Sequence, residues 1–116
     1  MMLAALALSL CPPPPAKRVT CVVDGDTAWV NGEKIRLANI DAPEIRGKCS
    51  SERALAIAAR NRLATLLRPG FQIHRTGTDR YGRTLARITV DGVDVGRVLV
   101  VEGLAREWTS RREPWC

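Results

Sequence analysis

The dipeptide Asn31-Gly32 stands between two short runs of strand composition, Thr27-Ala28-Trp29-Val30 and Lys34-Ile35-Arg36-Leu37. It is a strong two-residue hairpin signal and ties the two runs together as antiparallel neighbours. In the second run the alternation sends Ile35 and Leu37 to one face and Lys34 and Arg36 to the other. Upstream, the β-branched run Val19-Thr20-Cys21-Val22-Val23 predicts another strand, bounded by Asp24-Gly25. The run Ile40-Asp41-Ala42-Pro43-Glu44 cannot lie in the middle of a sheet, because Pro43 has no amide hydrogen to give the ladder.

Ser50 to Arg68 predicts the one long helix. Ser50 or Ser51 can cap it, and Glu52 sits in the favourable first turn. Leu55, Ala59, Leu63, Leu66 and Leu67 repeat at helical spacing and form the expected buried stripe. Arg68-Pro69-Gly70 stops it. Phe71 to Thr76 and Thr84 to Val90 predict two further strands, joined by a polar loop containing Asp79-Arg80-Tyr81-Gly82-Arg83. After the Asp91-Gly92 turn, Asp94 can cap a short helix from Val95 to Glu102, stopped by Gly103. The β-branched Val98 to Val101 leaves a strand open there. Five short strands with a helix between the third and fourth do not suit βαβ winding. They predict an α+β or mainly β fold: a small five-stranded antiparallel barrel with one long and one short helix packed on it.

A chain of 116 residues fits one domain. Residues 1–11 form an apolar run of signal-segment length without a basic start, and Pro12 to Pro15 follow as a stiff spacer. The expected division is therefore 1–16 as a signal-like leader and 17–116 as the domain. No window reaches the roughly 18 apolar residues of a membrane-spanning helix. The cysteines, Cys11, Cys21, Cys49 and Cys116, lack C-x-x-C spacing, and His74 is the lone histidine. That argues against zinc and for disulfides in an oxidising, extracytoplasmic compartment. Of the three pairings, Cys49–Cys116 is preferred, since it ties the C-terminal end to the body.

Fifteen of the eighteen basic residues are arginine, and the net charge is +6. Guanidinium forks grip phosphate oxygens in pairs, so the balance favours phosphate partners over mere solubility. Asp24-Gly25 alone is a plain turn. With Ile40-Asp41-Ala42-Pro43-Glu44 it becomes more. Pro43 holds Ala42 extended and leaves a ladder acceptor unpaired, so the Ala42 carbonyl is free for another partner. Asp26, Asp41 and that carbonyl make an all-oxygen set suited to a hard cation, Ca²⁺ before Mg²⁺. Glu44 remains for a base. Arg36, and Arg83 behind the permissive Gly82, make a phosphodiester clamp. Each arginine taken singly is a surface residue among fifteen; the acidic motifs change that.

Val23-Asp24-Gly25-Asp26-Thr27, Ile35-Arg36-Leu37, Ile40-Asp41-Ala42-Pro43-Glu44, Asp79-Arg80-Tyr81-Gly82-Arg83 and Leu99 through Gly103-Leu104-Ala105 resemble the staphylococcal nuclease family, in register from about Val19 to Arg106. The resemblance implies an OB-type five-stranded barrel and Ca²⁺-dependent cleavage of DNA and RNA to 3′-phosphate and 5′-hydroxyl ends. It implies Asp26, Asp41 and the Ala42 carbonyl as Ca²⁺ ligands, with Asp24 and Thr27 in support. Glu44 then activates or orients water, Arg36 and Arg83 bind phosphate, and Arg80 and Tyr81 touch a terminal phosphate. The family often has threonine at Ala42 and lysine at Arg80. The loop from Ile45 to Lys48 is short, and longer members continue into a last helix beyond the matched region, which favours a compensating disulfide. Trp108 offers either a stacking surface or a core residue. The expected enzyme is monomeric, with nucleic acid as its substrate. The alternative is an OB-fold module that binds single strands without cutting, though few aromatics argue against it. An arginine-rich binder of anionic polymers ranks last.

Overall fold

The computed structural model describes residues 8–109 and 111–116. Strands β1 (Cys21–Asp24), β2 (Thr27–Val30) and β3 (Glu33–Leu37) form an antiparallel meander. Asn31 and Gly32 take φ of 50° and 81°, the left-handed pair that a tight hairpin needs. Ile35 and Leu37 are buried while Lys34 and Arg36 stay partly exposed on the other face. Strand β4 (Ile40–Asp41) is two residues long and ends before Pro43. Helix α1 (Ser50–Leu66) follows, then β5 (Gln72–Thr78), β6 (Thr84–Val90), β7 (Val93–Asp94), helix α2 (Val95–Val101) and β8 (Arg106–Glu107).

The main sheet runs β1-β2-β3-β6-β5, with β7 beside β6, and β4 pairs with β8 in a second, two-stranded sheet. This is an α+β architecture with five principal strands and the long helix between the third and fourth. The expectation of an all-antiparallel sheet needs correction at one junction, where β3 and β6 are parallel. Parallel neighbours require a long crossover, and the chain supplies one through α1 and the β5–β6 hairpin. Register shifts at Val22/Asp24 and Arg75/Gly77 bend the strands. Among the described residues no ladder joins β5 to β1.

Helix α1 enters through Cys49, not through Ser50 or Ser51. Cys49 is extended, with φ −137° and ψ 161°, and gives no side-chain cap bond. Its disulfide to Cys116 holds it instead. The buried face is Glu52, Ala56, Ala59, Leu63, Ala64 and Leu67, leaving Leu55 and Leu66 half-buried. Ala59 is among the innermost because α1 lies close against the β1–β2 turn at Gly25. Helix α2 starts as expected: Asp94 accepts the amides of Gly96 and Arg97 at 2.8 and 3.3 Å. The core joins both layers, with Val22, Ile35, Leu37, Ile40, Leu63, Leu67, Ile88, Val95 and Leu99 in one buried cluster.

The leader expected over residues 1–16 begins outside the described residues. Its later part does not stand off from the domain behind a proline spacer. The Val22 amide donates to the Ser9 carbonyl at 2.8 Å, the Cys11 amide to the Val22 carbonyl at 2.9 Å, and the Leu8 amide to the Ala64 carbonyl at 2.9 Å. Cys11 is bonded to Cys21. The open edge of β1 offers an unpaired amide and carbonyl at Val22, and residues 9–11 take them.

Candidate active site

The β1–β2 turn folds around one carboxylate and presents another. The Asp26 amide donates to Asp24 Oδ1 at 3.1 Å. Asp26 itself is buried: Oδ1 accepts from Thr27 Oγ1 and Oδ2 from the Ala42 amide, both at 3.0 Å. The second bond fastens the turn to the Ile40–Glu44 stretch. Burial first, and the neighbouring Asp26 charge second, push the Asp24 carboxyl up to about 8. Gly25 lets the helix approach, since a Cβ there would stand 2.8 Å from the Ala59 Cβ and 3.0 Å from the Ala42 Cβ.

Arg36, on the polar face of β3, closes over this corner. Its Nη2 lies 3.4 Å from Asp26 Oδ2, and its Nη1 donates to the Leu37 and Ile40 carbonyls, the latter at 2.9 Å. Arg83 comes from the β5–β6 loop. Gly82 turns the chain with φ 81°, and Asp79 gathers the loop by accepting the amides of Tyr81 and Arg83 at 2.9 Å and Arg83 Nε at 2.7 Å. Arg36, Asp79, Arg80, Tyr81 and Arg83 line one cavity of about 430 Å³, with Trp108 also on its wall. The guanidiniums of Arg80 and Arg83 lie 5.4 and 5.5 Å from the exposed Tyr81 ring. Arg36 and Arg83, the two arginines expected to form the clamp, therefore share a cavity, and Arg36 touches Asp26.

Asp41, Ala42 and Glu44 face a residue that the sequence reading does not single out. Arg112 Nη1 lies 2.5 Å from Asp41 Oδ1, and its Nη2 lies 3.3 Å from the Ala42 carbonyl, 3.5 Å from Glu52 Oε2 and 3.7 Å from Glu44 Oε1. Asp41 is enclosed, its side chain 5% exposed, whereas that of Glu44 is 60% exposed. Trp115 Nε1 donates to Asp41 Oδ2 at 3.3 Å, and Arg106 stacks on the Trp115 ring at 3.6 Å. Glu52 accepts the amides of Glu44 at 3.0 Å and Lys48 at 3.2 Å, so it anchors the short loop as well as opening the helix. Those amide bonds, that of Glu44 foremost, hold its carboxyl below the usual range despite the cost of burial.

Among the described residues, the three acidic or sulfur side chains gathered as metal ligands would be are Cys49, Glu52 and Cys116, within 4.8 Å of one another, and the two cysteines are joined in a disulfide. The structure thus links Asp26 to Asp41 through the Ala42 backbone and places Glu44 on the wall of a second cavity of about 210 Å³, shared with Glu52, Arg112 and Trp115. Glu52 carried a signal in its helix-opening position; Arg112 and Trp115 carried none, lying about seventy residues from their partners in the chain.

A family model described as staphylococcal nuclease homologue matches residues 34–114. The succinoglycan biosynthesis protein ExoI of Rhizobium meliloti is 35% identical over 91 residues, covering 72% of this chain and 48% of that protein. Endonuclease YncB of Bacillus subtilis is 38% identical over 92 residues, covering 72% of this chain and 44% of that protein. The chain thus spans about half the length of these curated relatives. Motif order, the sheet and helix order, and the family match converge: this chain belongs to the staphylococcal nuclease family, with its OB-type fold.

Proposed function

We propose that the chain is a phosphodiesterase that hydrolyses DNA, RNA or both to 3′-phosphate and 5′-hydroxyl ends with the help of Ca²⁺. The observation that supports it most is the shared cavity of Arg36 and Arg83, joined by Arg36 to the buried Asp26 and so to Ala42 and Asp41. The donor chemistry fits a hard cation. Asp41 and the Ala42 carbonyl already hold a positive group, and every atom offered is oxygen. Asp26, Asp41 and the Ala42 carbonyl would hold the ion, with Asp24 and Thr27 supporting Asp26. When bound, such an ion supplies positive charge beside the scissile phosphate.

The side chains divide the remaining work. Arg36 and Arg83 present forked donors to the equatorial phosphate oxygens and to the departing 5′-oxygen. Asp79 fixes the angle of Arg83, and the carbonyls of Leu37 and Ile40 fix that of Arg36. Glu44 has its amide pinned by Glu52 while its carboxylate stays open to solvent, as a group must be that takes a proton from water. Arg80 and Tyr81, on the wall of the cavity that Arg36 and Arg83 share, would touch a terminal phosphate. Two disulfides suit a non-reducing compartment. Export to the periplasm or medium, and a monomeric state, complete the reading.

The test is direct. The full chain, with single-stranded DNA or RNA as substrate, should cut with Ca²⁺ and stop with chelator. The products should be 3′-phosphorylated. Glu44→Gln should lose about 10²–10⁴ in rate, and an undiminished variant removes Glu44 from its role. A second reading, a module that binds single strands without cutting, draws on the Arg112–Asp41 ion pair. Retention of DNA in a filter assay without cleavage under any divalent ion would favour it.

A further inference from the structure

The C-terminal segment sets Arg112 against the acidic residues of the site. Its guanidinium faces four acceptors at once: the carboxylates of Asp41, Glu44 and Glu52 and the Ala42 carbonyl. Two of those four, Asp41 and the Ala42 carbonyl, are donors assigned above to the divalent ion. Arg112 is not a loose surface arginine that drifted there. Cys116, four residues on, is bonded to Cys49, the residue that opens α1 and precedes Glu52 by one turn. Arg106 grips the same segment from the other side, donating to the Glu113 and Pro114 carbonyls at 2.8 and 3.1 Å and stacking on Trp115. Trp115 in turn donates to Asp41. Strand β8 and the Cys49–Cys116 bond thus fasten the segment at its two ends; of the two arginines between them, Arg111 pairs with Glu113 and Arg112 rests on the acidic residues, with Arg106 also 3.8 Å from Asp41 Oδ2.

We propose that Arg112 occupies the cation seat of the unloaded protein and that a divalent ion must displace it, with the Cys49–Cys116 bond setting how strongly it competes. The inference rests on the metal reading under Proposed function. Its physical basis is mass action within one chain. A tethered competitor acts at a high effective concentration, and the ion's apparent affinity falls by the fraction of time the seat is open. Opening the disulfide frees the segment and lowers that effective concentration without altering a single oxygen donor. The seat therefore fills more readily in the reduced protein. Arg112 also screens three carboxylates that repel one another, so the unloaded fold depends on it more than the loaded one does.

Calcium titration calorimetry on the full chain tests this, alongside thermal melts in chelator and in Ca²⁺. Three proteins are compared: the parent, Arg112→Gln, and the double variant Cys49→Ser/Cys116→Ser, which keeps Arg112 and every carboxylate. Both variants should bind Ca²⁺ about tenfold more tightly, the factor for a seat open one-tenth of the time. Arg112→Gln should melt lower than the parent in chelator and recover most of that gap in Ca²⁺. Should Arg112→Gln fail to fold, the cysteine variant still answers. Equal affinities in all three proteins overturn the proposal, as does weaker binding in Arg112→Gln. Tighter binding in the cysteine variant beside an unchanged affinity in a folded Arg112→Gln overturns Arg112 as the occupant. Absence of Ca²⁺ binding from every protein overturns the metal reading and this inference with it, whereas equal and measurable binding overturns this inference only.

Discussion

Gly25 sits where helix α1 meets the β1–β2 turn, and its missing side chain is what allows that meeting. A methyl group there would press on Ala59 and Ala42 at 2.8 and 3.0 Å. Gly25→Ala should therefore destabilise the fold by about 1–3 kcal/mol through overpacking, measured by urea denaturation. It should also disturb the Asp26–Ala42 bond, since the shift has nowhere else to go. At Arg83 the geometry matters more than the charge. Its Nε is committed to Asp79 at 2.7 Å, and the side chain lines the cavity. Lysine keeps the charge and loses the fork. Arg83→Lys should lower kcat by about 10²-fold, the scale for removing one aligned donor, with the melting temperature little changed.

Three strands are tied by one carboxylate. Glu33 at the start of β3 accepts from Arg75 of β5 at 3.0 and 2.6 Å and from Thr84 of β6 at 2.7 Å. Those bonds, with Arg75 first and Thr84 second, lower its pKa from the ordinary 4.5 to about 2. The folded state thus favours the carboxylate. Its contribution to stability is complete above about pH 4.5 and is lost as the pH falls toward 2. Glu33→Gln should flatten the acid side of the stability profile across that interval, followed by denaturant midpoints. The junction it serves, the parallel pairing of β3 and β6, was not legible in advance. Alternation and turn residues give each strand and its faces, but they carry no information on which distant strand becomes a neighbour. What was legible was local: the Asn31-Gly32 hairpin, the α1 and α2 spans to within two residues, and the Asp94 cap. Asp94→Ala should cost about 1 kcal/mol, readable as a shifted urea midpoint.

The site divides along the same line. Asp24, Asp26, Arg36, Asp41 and Glu44 could be picked out because they lie in short motifs near one another in the chain. Arg112 and Trp115 could not, because their partners are set by how the last segment folds back and by the disulfide that holds it there. The two disulfides are unequal in reach, closing loops of 10 and 67 residues. In the chain-entropy account the longer loop contributes about 4 kcal/mol and the shorter about 3. Removing Cys49–Cys116 should accordingly lower the melting temperature more than removing Cys11–Cys21.

Where the bridges fall also dictates how the molecule bears load. With both intact, tension applied between the ends travels along the backbone to Cys11, jumps to Cys21, follows the chain to Cys49, and jumps again to Cys116. Between the first bridge and the second, the stretch from Cys21 to Cys49 pays out, about 28 residues or roughly 100 Å of contour. That stretch holds Asp24, Asp26, Arg36, Asp41 and Glu44, while both helices hang slack inside a closed ring. In an optical trap the oxidised protein should lengthen by that single short step, ripping the acidic residues apart first, and reductant should release a far longer tether.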